Sequence, residues 1–216
     1  MARPRSSGYG DQRELILAQA ADLFARQGYA GTSMNEVAAA CGVSKPALYH
    51  YVRDKHELLA LICEEHIARL RELVQVVATQ AQAEALDARS HLHRLILAFV
   101  EAYADAQHEH RVLTEDERHL GSAERERVLT GQREVVAAFA RLVSAQRPDA
   151  LAGDLAKPLT MLLFGMINWM FTWLRPGGRL SHADMAPLVA ELFIGGLAAL
   201  PSAQLSPNDN PRRPQT

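Results

Sequence analysis

The sequence predicts an all-α protein, with an N-terminal three-helix module built on a helix-turn-helix and a larger helical domain behind it. Three observations lead there. Apolar residues recur at three- and four-residue spacing along most of the 216 residues, and nothing alternates with the period of a half-buried strand. Ala and Leu are abundant and aromatic residues make up only 6%, a composition that favours helices. Two short helical patterns also stand back to back between residues 33 and 58, SMNEVAAACGVSKPALYHYVRDKHEL, joined by a turn centred on Gly42.

Each part of that stretch carries its own local signal. Ser33 and Glu36 stand in S-x-x-E spacing, so the Ser33 hydroxyl can accept from a free N–H of the first turn while Glu36 reaches back. Val37, Ala38 and Cys41 form one apolar stripe, and Gly42 supplies the left-handed backbone that ends a helix. Ser44 is a natural N-cap, and Pro46 sits in the first turn, where a missing N–H does no harm. In the second helix Leu48 and Val52 face inward, whereas Lys45, Pro46, Ala47, Tyr49 and His50 lie on the outer side. That composition suits a helix that enters a DNA major groove better than one that only fills a core. Lys45, Pro46 and Ala47 are placed to meet base edges, and Tyr49 and His50 to meet phosphates. Asp54 and Glu57 repeat the capping spacing. The next helix therefore starts at Lys55, with its dipole and free N–H groups forming a phosphate seat. Ser33, at the start of the preceding helix, completes the set of expected DNA contacts.

The run from Ile16 to Leu59 resembles the DNA-binding domain of the TetR family of repressors. Phe24, Gly28, Tyr29, Thr32, Val37, Ala38, Gly42, Val43, Ser44, Leu48, Tyr49, Lys55 and Leu58 all stand where that family's pattern puts them. Val52 departs from it, the family usually carrying Phe there. The resemblance implies that Lys55 touches the DNA backbone.

The charge distribution fits a DNA-binding head on a different kind of body. Net charge is −2, but residues 1–56 carry seven basic against five acidic side chains and the remainder is acidic. Residues 1–10 hold Arg3 and Arg5 among Ser and Gly, and are expected to form a flexible basic arm, either lying along DNA or simply solvated. Cys41 and Cys63 are isolated in apolar helical patterns and read as buried free thiols of a reducing cytosol. No signal-peptide pattern opens the chain and no apolar run reaches membrane-spanning length, so a cytoplasmic protein without membrane contact is expected.

The expected organisation is an arm over 1–10, the helix-turn-helix domain over 11–56, a helical effector-binding and dimerisation domain over 57–200 and a disordered tail over 201–216. The first helix runs from about Asp11 to Gln27 and is ended by Gly28. The helix that starts at Lys55 continues toward Ala85, long enough to act as a lever between domains or as a passive strut. Further helices are expected over Ser90–Gln107, Ser122–Gln146, Gly153–Leu174 and Ser181–Leu200, with a short broken stretch from Arg111 to Gly121. Gly165, Gly195 and Gly196 would let the last two long helices approach a second copy, since one helix-turn-helix reads too few base pairs alone and such proteins pair on palindromic operators.

An effector site is the least determined part. Trp169 and Trp173 lie four apart, with Met166 and Met170 beside them, and with Phe99, Tyr103 and Phe139 from earlier helices they form the candidate pocket lining. A Met- and aromatic-rich stripe is more often core than ligand pocket. The segments FGMINWMFTWLRPGGRLS and MAPLVAELFIGGL resemble the C-terminal domain of TetR-family regulators that respond to acyl-coenzyme A thioesters. That resemblance implies a fatty acyl- or phenylacetyl-type thioester as effector, its phosphates held by Arg at the mouth of an apolar tunnel. The sequence does not choose among the eight Arg residues at 111, 118, 125, 127, 133, 141, 175 and 179. No metal-ligand set, P-loop, nucleophile elbow or dinucleotide fingerprint occurs, so neither cofactor, metal nor catalysis is expected. The competing reading is an all-helical enzyme or binding module with an incidental helix-turn-helix.

Overall fold

A computed structural model describes residues 7–146, 155–174 and 177–200. Every regular element among them is helical: α1 (Ser7–Gly31), α2 (Met34–Ala40), α3 (Lys45–Leu48), α4 (Lys55–Ala83), α5 (Ala88–Asp105), α6 (Gln107–Glu115), a 3-10 turn over Glu117–His119, α7 (Ser122–Gln146), α8 (Ala156–Asn168), α9 (Met170–Trp173) and α10 (His182–Ala199). The Arg175-Pro176 part of the expected turn, the 201–216 tail and residues 1–6 of the arm lie outside the described residues.

Two apolar clusters hold the chain together. The first gathers Ile16, Ala20 and Phe24 of α1, Val37 of α2, Leu48 of α3, and Leu58, Leu59, Ile62 and Cys63 of α4. It also takes in Val112, Leu113, Leu120 and Val128 from the middle of the chain. Phe24 is almost wholly buried here, and a side chain of that size contributes about 1.5–3 kcal/mol on leaving water. The second cluster joins the distal half of α4 to α5, α7, α8 and α10 through residues such as Leu70, Val77, Leu95, Phe99, Phe139, Leu163 and Ile194. Helix α4 therefore belongs to both clusters. Gly131 of α7 lets Ile67 of α4 come close: a Cβ there would sit 2.9 Å from Ile67 Cγ1.

Three expectations change in detail. Residues 7–10, expected in the flexible arm, are the first turn of α1, where the Tyr9 ring stacks on Tyr51 at 4.7 Å. Gly28 adopts φ 79° and kinks the helix, but one more turn, Tyr29–Gly31, follows it. The apolar run expected as one helix to Leu174 is interrupted, since α8 stops at Asn168 and α9 begins at Met170.

Candidate DNA interface and effector cavity

The helix-turn-helix is assembled by short-range bonds. Ser33 Oγ accepts from Glu36 N at 3.3 Å and Ser33 N donates to Glu36 Oε2 at 2.7 Å, completing the capping box. Those bonds hold the Glu36 carboxyl below the usual carboxylate range. Gly42 takes φ 65°, the left-handed turn that a side chain would resist. Ser44 Oγ accepts from Ala47 N at 3.3 Å, and Asp54 Oδ1 from Glu57 N at 2.8 Å. Leu48 and Val52 are buried beneath the recognition helix, while Lys45, Pro46, Tyr49 and His50 are exposed on it and Ala47 is half-buried. Ser33 is exposed at the N-terminus of α2.

Lys55 is placed differently from the other expected contacts. Its Nζ donates to the carbonyls of Tyr29 and Thr32, both at 2.9 Å, and lies 4.4 Å from the Tyr29 ring centroid. Two of the three ammonium donors are thus spent on the last turn of α1. Lys55 ties α4 to α1, and a single N–H remains for anything outside.

The junction with the body was not visible in the sequence. Tyr29 N donates to Asp116 Oδ2 at 3.3 Å, and its ring stacks on His119 at 5.1 Å. Gly121 N donates to His56 Nε2 at 3.0 Å. Asp116 is 6% exposed, and burial raises its pKa. Helix α6 packs on both α1 and α4, so a displacement of α6 reaches the DNA-binding module directly.

Behind α6 lies a cavity of about 240 Å³, walled by Ile67, Leu70, Leu113, Val135 and Phe164, with Tyr103, His110 and Asn168 also lining it. A larger groove of about 640 Å³ runs between α7 and α8 and carries Arg133, Arg141 and Lys157. The two share Gln132, Val136 and Met161 as a common wall. Arg133 is paired with Glu126, whereas Arg141 and Lys157 form no ion pair among the described residues.

Of the seven residues expected to line a pocket, Tyr103 does so. Phe99 and Phe139 are fully buried and pack edge-to-face at 4.8 Å, as core. Met170 is buried and Met166 half-buried against that same core. Trp169 and Trp173 are 65% and 48% exposed and line neither space, which corrects the expectation. The physical reason is that α8 has two apolar faces. Leu163, Phe164 and Ile167 turn inward, while Leu162 and Trp169 share an outward surface type with Leu188 and Leu192 of α10. Gly165, Gly195 and Gly196 are exposed, with open space above them. Residues that sequence reasoning missed include His66, buried beside His110. The available signal was its place in the inner stripe of α4 between Ile62 and Leu70, four residues from each.

The thiols are buried as expected, Cys63 being pushed up to about 12 by burial. No helix among the described residues is long and apolar enough to cross a membrane.

An exposed recognition helix on a capped three-helix head, tied to an all-helical body with an internal cavity, defines a helix-turn-helix DNA-binding regulator. Residues 16–62 match the family described as bacterial regulatory proteins, tetR family, and residues 85–197 match the tetracyclin repressor-like C-terminal domain. The chain belongs to the TetR family and is a transcriptional repressor of that kind, not an enzyme. A TetR-family transcriptional regulator from Bordetella parapertussis 12822 is 34% identical, with a TM-score of 0.79 over 88% of this chain and 98% of that one. The transcriptional repressor KstR2 of Rhodococcus jostii RHA1 is 27% identical over 90% of this chain and 95% of its own length. AibR, solved in complex with isovaleryl coenzyme A and operator DNA, shares the fold at a TM-score of 0.72 and 23% identity, over 84% of this chain and 97% of that one. Members of the family bind operator DNA and small-molecule effectors, typically as homodimers.

Proposed function

We propose that this repressor binds a palindromic operator as a homodimer and is released from it by an acyl-coenzyme A thioester. The observation that carries the effector reading is the joining of two largely apolar spaces, the outer one edged by basic side chains. The inner cavity has Ile67, Leu70, Leu113, Val135 and Phe164 in its wall, while the groove that shares its wall carries Arg141 and Lys157, with Arg133 paired to Glu126. An acyl group suits the first, and coenzyme A phosphates suit Arg133, Arg141 and Lys157. The complex of AibR with isovaleryl coenzyme A supports the same class of ligand on the same fold.

At the DNA end, Lys45, Pro46 and Ala47 read base edges, while Tyr49, His50, Ser33 and the remaining donor of Lys55 hold phosphates. The exposed apolar face of α8 and α10 is where a second copy packs, placing two recognition helices on successive half-sites. Ligand in the cavity bears on α6 and α4, and both carry the head; a shift of either alters the half-site spacing.

Fluorescence anisotropy with DNA from upstream of the gene tests this reading. Salt-dependent, sequence-specific binding is expected, weakened about tenfold or more by Tyr49→Ala. Acyl-coenzyme A titration should release the DNA, and Arg141→Glu should blunt that release without altering DNA binding. Inertness to every short-chain, long-chain and aryl thioester would sink the effector assignment.

A further inference from the structure

The last turn of α1 is held from both sides. Gly28, with φ 79° and ψ 154°, interrupts the helical path, and the N–H groups that open a new turn have no partner within it. The first of them, Tyr29 N, donates to Asp116 Oδ2 at 3.3 Å, an acceptor 87 residues away on the body. From the other side, Lys55 Nζ donates to the carbonyls of Tyr29 and Thr32, both at 2.9 Å. Thr32 Oγ1 donates back to the Gly28 carbonyl at 3.0 Å, which closes the turn on itself. The Tyr29 ring joins the two sides again. It stacks on His119, three residues beyond Asp116, and the Lys55 ammonium lies 4.4 Å from its centroid.

Asp116 is buried, so its carboxylate cannot touch DNA itself. It follows α6 directly and opens the 3-10 turn, and its main chain is fixed there. Its N–H donates to the Val112 carbonyl and its carbonyl accepts from His119 N, both at 2.9 Å. The carboxylate therefore moves with the end of α6. A lysine with a free side chain gives up rotamer freedom when it grips a phosphate. In Lys55 two of the three ammonium donors are already fixed, so the direction of the third is set by where the Tyr29 and Thr32 carbonyls lie.

We propose that Asp116 is a positioning residue for operator binding: it anchors the Tyr29 turn, whose carbonyls aim the remaining N–H of Lys55 at a DNA phosphate. This rests on the reading of Lys55 as a contact to the DNA backbone. Withdrawal of the end of α6 from α1 frees the Tyr29 N–H, slackens the carbonyl cradle and takes one phosphate contact from the head. That loss needs no change in half-site spacing, so release by weakened grip adds to release by altered spacing.

The test measures binding of the full-length protein across a salt series, to DNA from upstream of the gene and to a shuffled duplex of equal length. Asp116→Ala should lower affinity about tenfold on both and reduce the salt slope by about one, because a phosphate contact carries no sequence information. Asp116→Asn keeps an acceptor oxygen and should recover most of the loss. Lys55→Met should show the same reduced slope, and Asp116→Ala should add nothing on top of it. An ester in place of the Tyr29 amide, introduced as the α-hydroxy acid of tyrosine, removes only the donor. It should match Asp116→Ala, and it decides the question if that variant does not fold. A wild-type slope in Asp116→Ala and in the ester, beside a reduced slope in Lys55→Met, overturns the inference while the reading of Lys55 stands. Losses that add in the double variant overturn it as well. A wild-type slope in Lys55→Met overturns the backbone contact of Lys55 and the positioning role with it.

Discussion

The two ends of α4 satisfy their polar groups by opposite rules. At the DNA end the polar side chains are exposed, and their bonds close within three or four residues: Ser33 with Glu36, Ser44 with Ala47, Asp54 with Glu57. In the body the polar groups that matter are buried, and they pair across long stretches of chain, as His66 does with His110, 44 residues away. The first arrangement folds a small reading head from local instructions and leaves its outer face free for DNA. The second exists only once several helices have packed, so whatever enters the cavity acts on that packing.

That contrast can be broken experimentally, and the largest effect is expected on the face proposed above to pack against a second copy. Leu192 is 70% exposed on α10. Leu192→Arg should convert the dimer to monomer in analytical ultracentrifugation and lower operator affinity by about a hundredfold or more, because each half-site would then be bound alone. Retention of the dimer would place the interface elsewhere.

A second effect belongs to the buried histidines. Their folded pKa values lie below the ordinary value, so between about 6.5 and about 4 the unfolded chain binds protons that the folded one does not. Stability from keeping the pair neutral is fully present above pH 6.5 and is lost as pH falls through that window. The urea midpoint should drop between pH 7 and pH 5 in the wild type, and the drop should shrink in the double variant His66→Leu, His110→Phe. An unchanged pH dependence would show that the pair is not buried neutral.

The smallest effect sharpens the other side. Ser33→Ala removes one cap and should cost about 1 kcal/mol in a urea melt, with no change in acyl-coenzyme A affinity. A change in ligand affinity would mean that the head and the cavity are coupled through more than α4 and α6.

Legibility followed the same division. The DNA-binding head could be read residue by residue because capping, turn and amphipathic signals are local. Lys55 is the instructive exception. The family resemblance implied a DNA-backbone contact for it; that its ammonium also engages the carbonyls of Tyr29 and Thr32, 26 and 23 residues away, is written in no local pattern. In the body, helix existence was legible from periodicity, while the cavity was not. The Trp169 and Trp173 spacing reports that a helix has an apolar face; it does not report which of two such faces meets the core.

The sequence by itself determined the all-helical class, the capped helix-turn-helix, its outward recognition residues and the burial of both cysteines. Those features depend on neighbours within a few residues or on a single stripe of one helix. The tertiary structure decided which side of α8 is core, that α6 joins the head to the body, and that two histidines from distant helices meet beside the cavity. Each of these needs several helices in place before the contact exists, and no spacing along the chain encodes it.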